Sequence, residues 1–277
     1  MTTVNLPYFD SLLEELGKEN PELKQAFGRH VHWGYWPEPR NADGSVADFA
    51  KAAERLSEKV CAAGGVQNGL RILDAGCGFG GTIALMNERF SPINLVGLNI
   101  DARQLTRAQE QVLPRPNNTI EFVQGDACAM PFEDNSFDIV FAVECIFHFP
   151  SREKFFQEAR RVLRPGGKLA LCDFVALELV NPIFKTVGKS FGNSIYRTYG
   201  QVKSDFTASD YRQLAAKTGF KASFMEDITP NTVPTYPVVR QVQRTHNQAE
   251  IEKVTAMAEW LARLGWVRYQ IWAFDVA

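Results

Sequence analysis

Leu73-Asp74-Ala75-Gly76-Cys77-Gly78-Phe79-Gly80-Gly81 is the stretch whose reading decides the fold. It follows Arg71-Ile72 and runs into Thr82-Ile83-Ala84-Leu85-Met86, so it reads as strand, glycine turn and helix. Glycine there supplies a tight turn, open backbone for a ligand to approach, and close packing of helix on strand. Asp74 falls where the strand ends, which suits a ligand that brings its own positive charge. The same residues satisfy Gly76-x-Gly78-x-x-Gly81, the dinucleotide fingerprint, which alone is a weak signal. Anionic pyrophosphate wants N–H donors and the positive end of a helix, and a carboxylate adds charge of the wrong sign. The local motif favours a cationic, nucleotide-like ligand. An NAD(P)-dependent oxidoreductase is the alternative from another class.

The chain has 277 residues, 45% of them hydrophobic, enough for one large domain or a domain with a cap. A formal net charge of −2 gives no electrostatic footprint for nucleic acid. Arg160, Arg161 and Arg164 cluster on a helix, where a solvated face is the expected reading. Cys61, Cys77, Cys128, Cys145 and Cys172 have no Cys-x-x-Cys spacing and read as small apolar fillers in a reducing compartment. The four histidines form no ligand pattern with them, so no metal is expected. Met1-Thr2-Thr3-Val4-Asn5 opens no secretory signal and no stretch approaches a membrane span, so a cytoplasmic location is expected. Nothing in the composition points to an oligomeric state.

Residues 1–69 read as a separate helical segment, with Asn20-Pro21 opening its second helix. The proline-broken run His30-Val31-His32-Trp33-Gly34-Tyr35-Trp36-Pro37 excludes regular helix. From residue 70 onward strands alternate with helices, with strands expected at 71–74, 94–99, 120–124, 137–143, 168–174, 220–227 and 266–274. Short apolar strands between amphipathic helices argue for a parallel sheet covered on both faces. Residues 177–206 and 230–263 break the alternation and read as lid insertions.

Four markers recur in order: the loop Asp74-x-Gly76-x-Gly78-x-Gly80; Val96-Gly97-Leu98-Asn99; Gln124-Gly125-Asp126-Ala127 with Met130-Pro131-Phe132; and Phe137-Asp138 followed by Val162-Leu163-Arg164-Pro165-Gly166-Gly167-Lys168-Leu169. With them, residues 50–277 resemble the class I S-adenosylmethionine-dependent methyltransferases of the small-molecule branch. The resemblance implies an α/β, Rossmann-like, seven-stranded and mostly parallel sheet with its last strand antiparallel. Residues 1–69 would form an N-terminal helical cap on a core of residues 70–277 that carries the two lid insertions.

The resemblance also implies site residues. Asp74, Gly76, Gly78 and Gly80 would form the cofactor loop, and Asn99 with Ile100 would stand where the family usually has an acidic partner for the ribose. An amide there gives no charge-assisted bond. Gln104 resembles a ribose partner of the sterol, phosphoethanolamine and tocopherol branch, whereas Asp101 reads as a helix N-cap. Asp126 and Ala127 would meet the adenine, the plain alternative being an Asx turn, and Asp138 reads as structural. Glu144 would lie under the methionine part of the cofactor. His148 is the best-placed proton acceptor, the alternative being packing.

His30–Trp36 resembles the His-x-His-x-Gly-Tyr segment of tocopherol-type enzymes. Tyr35 would then reach the cofactor, and His30, His32, Trp33 and Tyr196 the substrate; a hydrophobic clasp is the alternative for the aromatic rings. Phe184, Phe191, Tyr196, Tyr199 and Tyr236 on the expected lids suit an apolar or ring-bearing acceptor, and Lys185, Lys189 and Arg197 leave room for an anionic group on it. The expected activity is methyl transfer to a small metabolite, with oxygen the favoured acceptor as in natural-product tailoring. Carbon of a phenol, isoprenoid or sterol-like ring, or nitrogen, are the alternatives. No nucleic-acid partner is expected.

Overall fold

The computed structural model describes residues 6–18, 20–182, 205–246 and 248–277. Seven strands, β1 (Arg71–Ala75), β2 (Asn94–Asn99), β3 (Thr119–Gln124), β4 (Phe137–Val143), β5 (Leu163–Ala176), β6 (Phe220–Asp227) and β7 (Val267–Val276), make one sheet in the order β3-β2-β1-β4-β5-β7-β6. β1 through β5 pair in parallel, and β7 runs antiparallel to β5. β6 also opposes β7, since Ala277 N–H donates to Gly219 O while Ile228 N–H donates to Tyr269 O. The Rossmann-like, mostly parallel sheet expected from the motifs is therefore present, with its connection order reversing between β1 and β4.

The helices described are α1 (Pro7–Gly17), α2 (Pro21–Phe27), α3 (Val46–Gly64), α4 (Gly81–Arg89), α5 (Ala102–Gln111), α6 (Arg152–Val162), α7 (Ala208–Lys217), α8 (Thr229–Thr232), α9 (Thr235–Thr245) and α10 (Ala249–Arg263). None of the described helices is long and apolar enough to cross a membrane. Asn20 caps α2 by accepting from the Glu22 and Leu23 amides, and Pro21 takes the first helical position. Asp101 caps α5 through the Arg103 amide, as its position predicts.

β5 departs from expectation by starting at Leu163 rather than Lys168. Leu163 pairs with Phe137 and Lys168 with Ile139, so four residues of β5 oppose Asp138 alone. Arg164-Pro165-Gly166-Gly167 is a bulge inserted into a ladder, which is why its composition reads as a turn.

Two compact units can be described. One contains the described residues of Met1–Arg55, Phe174–Ser209 and Asp227–Gln270. Its core joins Ala26, Trp36, Phe49, Ala52, Val238 and Val239. Trp36 is buried, and its indole N–H donates to Asp48 Oδ2 at 2.7 Å, so this ring packs in the core of its own unit. Trp36→Phe is expected to lower stability by about 1–2 kcal/mol through lost volume and the lost hydrogen bond. Urea unfolding measures this, and an unmoved midpoint would remove Trp36 from the core's support.

The other unit contains Leu56–Asp173, Asp210–Glu226 and Ile271–Ala277. Phe156 meets Tyr211, Phe220 and Phe274, and Trp272 stacks on Phe274 and Tyr211. Beneath these rings lies a buried polar triad that the motifs did not reveal. Arg152 Nη2 donates to Asp173 Oδ2 at 2.8 Å and Tyr211 OH donates to the same oxygen at 2.5 Å. A buried charge pair needs such extra hydrogen bonds to offset desolvation.

Asp138 is structural, as read: it accepts from the Arg71 amide and pairs with Arg164. The arginine cluster is not a bare solvated face. Arg161 grips Glu158, Asp134 and the carbonyls of Met130 and Phe132, which braces the turn after β3.

Candidate functional site

The parallel register aligns the carboxyl ends of the first strands, with Ala75 beside Leu98 and Asn99 beside Gln124. The loops after β1, β2, β3 and β4 therefore meet along one edge, at the point where the connection order reverses. That is where ligands bind in open α/β sheets.

The glycine loop is closed onto β2. Gly76 and Cys77 amides both donate to Leu98 O, at 2.7 and 3.1 Å. Gly76 has φ +84, and a Cβ added there would stand 2.7 Å from Cys145 Sγ and 2.9 Å from Cys145 Cβ. Cys145 in turn donates its S–H to Ala75 O at 3.0 Å, so the loops after β1 and β4 lock together through this sulfur. Gly76→Ala is expected to cost about 1–3 kcal/mol of stability from the left-handed backbone and the contact together. Adding Cys145→Ala should recover only the share due to the sulfur, a difference that a double-mutant cycle in urea reads directly.

Asp74 is 1% exposed, and its Oδ1 has no hydrogen-bond partner among the described residues. Burial pushes its carboxyl up from 3.8 to about 7. An isolated buried carboxylate is costly unless a positive partner arrives. The donor set thus fits a cationic ligand and disfavours a pyrophosphate. Burial and then the neighbouring Asp74 charge also raise the thiols of Cys77 and Cys145 well above their ordinary value.

At the end of β2, Asn99 Nδ2 donates to Gln104 Oε1 at 3.1 Å and Asn99 Oδ1 accepts from the Asp101 amide. The two amide side chains expected near a ribose are thus brought together, both buried. Ile100 contributes its carbonyl, which accepts from Gln124 Nε2 at 3.1 Å. After β3, Asp126 Oδ1 accepts from the Cys128 amide at 2.7 Å, so the Asx turn is formed. Ala127 within it is buried.

Glu144 has φ +51, a left-handed conformation rare outside glycine and concentrated at functional sites. Its amide donates to Cys172 O at 3.2 Å. His148 ends the short turn Ile146–His148, half-buried, with its ring 4.4 Å from that of Phe147. The next helix begins with Arg152 of the buried triad, which anchors the far end of this loop.

The aromatic strap belongs to the unit that contains Trp36. The Tyr35 amide donates to Ala52 O at 2.8 Å and the Gly34 amide to Thr235 Oγ1 at 3.0 Å. The Trp33 ring makes edge contacts with Phe174 at 5.8 Å and Tyr236 at 5.6 Å. His30 and His32 are buried and bonded to one another. Phe184, Lys185, Lys189, Phe191, Tyr196, Arg197 and Tyr199 lie outside the described residues.

Sequence reasoning passed over Cys145 as a link between loops, and Arg152, Asp173 and Glu54 altogether. Two signals stood in plain view: an arginine at the first position of a helix opposes the dipole, and Asp173 is a lone charge in the apolar run Leu169–Val175.

A family model described as a methyltransferase domain matches residues 73–171. The chain is 32% identical over 236 residues to the methyltransferase GfsG of Streptomyces halstedii, covering 83% of this chain and 81% of that protein. It is 29% identical over 221 residues to the 27-O-demethylrifamycin SV methyltransferase of Amycolatopsis mediterranei, covering 77% and 75%. In fold it is similar to geranyl diphosphate C-methyltransferase from Streptomyces coelicolor A3(2), solved with Mg2+, geranyl diphosphate and S-adenosyl-L-homocysteine. That match has a TM-score of 0.70 at 19% identity and covers 100% of both chains.

Proposed function

The chain belongs to the S-adenosylmethionine-dependent methyltransferases that act on small molecules, and from that premise we propose that it methylates a hydroxyl oxygen of an apolar or ring-bearing metabolite. Membership removes the NAD(P)-dependent oxidoreductase alternative. The observation that carries the reading is the orphaned Asp74 oxygen on an edge that also bears Glu144 and His148.

When bound, S-adenosylmethionine supplies a methyl group on a positively charged sulfur that leaves as a neutral thioether. Asp74 balances the positive charge, and Gly76, Gly78 and Gly80 leave the backbone open for the cofactor. Asn99, Ile100 and Gln104 would take the ribose side, Asp126 and Ala127 the base, and Glu144 the methionine end. His148 accepts the hydroxyl proton as the oxygen attacks. Trp33 would face the acceptor and exclude water, which favours in-line alignment of the reacting groups. The rifamycin relative supports oxygen as the acceptor atom, because it is a 27-O-demethylrifamycin SV methyltransferase and the match spans most of this chain.

The test pairs calorimetric titration of S-adenosylmethionine with methyl transfer to a panel of phenols, isoprenoid alcohols and macrocyclic polyketide alcohols. Micromolar cofactor binding and an O-methyl product by NMR are expected. A methyl on ring carbon or nitrogen would move the reading to the alternative acceptors, and no cofactor binding would sink it.

A further inference from the structure

The strap holds a cluster of titratable groups that the reaction above does not use. His30 Nε2 meets Glu54 Oε2 at 2.6 Å, His30 Nδ1 meets His32 Nε2 at 3.1 Å, and His32 Nδ1 meets Trp33 O at 2.8 Å. Arg29 Nη2 meets the other Glu54 oxygen at 3.1 Å. Among the described residues no three His, Cys, Asp or Glu side chains are arranged to hold a metal, so these contacts are hydrogen bonds.

Counting hydrogens sets the protonation of the pair. A carboxylate and a carbonyl only accept. His30 Nε2 and His32 Nδ1 must therefore each carry hydrogen. The contact between the rings needs a third, shared by two nitrogens. Three hydrogens on four ring nitrogens make one imidazolium and one neutral imidazole. Burial, and next the charge of His30, push His32 down from 6.5 to about 3, with the Trp33 carbonyl opposing in part. His32 is accordingly the neutral ring of the pair.

We propose that His30, His32 and Glu54 form a positioning relay in which one proton shared by two imidazoles holds Trp33 for the methyl acceptor. This rests on the reading of Trp33 as part of the acceptor site. The pair is not a general base, since every ring nitrogen is already engaged. Among the described contacts, the charged groups that meet it are Glu54 of α3 and, through Glu54, Arg29. Thr235 and Tyr236 of α9 and Phe174 of β5, which meet the strap at Gly34 and Trp33, are uncharged. Loss of the proton leaves two hydrogens for three contacts, so one must break.

The protein has four histidines and five tryptophans, so both ring types can be followed individually by NMR. In 15N-histidine-labelled protein at pH 7, one ring should carry hydrogen on both nitrogens and one on Nδ1 alone, assigned through His30→Gln and His32→Gln. In fluorotryptophan-labelled protein, the Trp33 line, assigned through Trp33→Phe, should move with the same pH midpoint as the doubly protonated ring. Glu54→Gln should shift both midpoints acidward by at least one pH unit while the Trp272 line stays put. It should also raise acceptor KM about tenfold with cofactor affinity unchanged.

Two neutral rings at pH 7, or hydrogen on Nε2 of His32, would overturn the relay even in wild-type protein. A Trp33 line that ignores the midpoint, or an unchanged KM, would overturn positioning. A wild-type enzyme that methylates nothing on the panel would instead fail the acceptor reading, and the NMR measurements would still decide the relay.

Discussion

Asp74→Asn is expected to make the cofactor-free protein more stable at pH 8 while weakening S-adenosylmethionine binding about 10²-fold or more. The affinity loss follows from removing one partner of a buried charge pair. The stability gain follows from linkage. Burial raises the Asp74 carboxyl from 3.8 to about 7 in the folded protein. Between those two values the folded state binds more protons than the unfolded chain, so stability falls as pH rises and the full penalty is present above about pH 7. That penalty is at most about 4 kcal/mol. The asparagine amide, equally short of partners, retains a cost of about 1–3 kcal/mol. The melting temperature of the variant should therefore exceed that of the native protein at pH 8 and lose the advantage near pH 4. Cofactor affinity of the native protein should rise between pH 5 and 7 and then level, because binding a cation expels the proton. A flat affinity profile in the native protein would show that Asp74 is ionised before the ligand arrives.

His148→Ala is expected to lower kcat for a hydroxyl acceptor by about 10²–10⁴, the span covered by loss of a positioned proton acceptor. Cofactor affinity should be unchanged, because the loss lies in the chemical step. The native kcat should fall on the acid side, where the imidazole is already protonated, and that limb should vanish in the variant. Turnover within threefold of native, with methyl transfer still rate-limiting, would return His148 to the packing role suggested by its contact with Phe147.

Local features were legible where backbone chemistry alone decides them. The glycine loop, the Asn20 and Asp101 caps and the boundaries of β2, β4 and β6 all follow from turn residues, side-chain oxygens and apolar runs close in sequence. Long-range electrostatics were not. The isolation of Asp74 depends on what surrounds it rather than on its motif, and Glu54 joins the strap across 24 residues. β5 misled because its bulge uses the same proline and glycines as a turn. Two neighbouring rings of the segment His30–Trp36 differ in their surroundings: Trp36 is core, whereas Trp33 is held at its carbonyl by His32.

The two cysteine sulfurs beside Gly76 have one more consequence. The cofactor of this family is an alkylating agent, and thiolates are among the strongest biological competitors for an electrophilic methyl. Cys77 and Cys145 are kept as S–H by burial, reinforced by Asp74, and a protonated thiol is a poor nucleophile. The loop is thereby shielded from methylating itself.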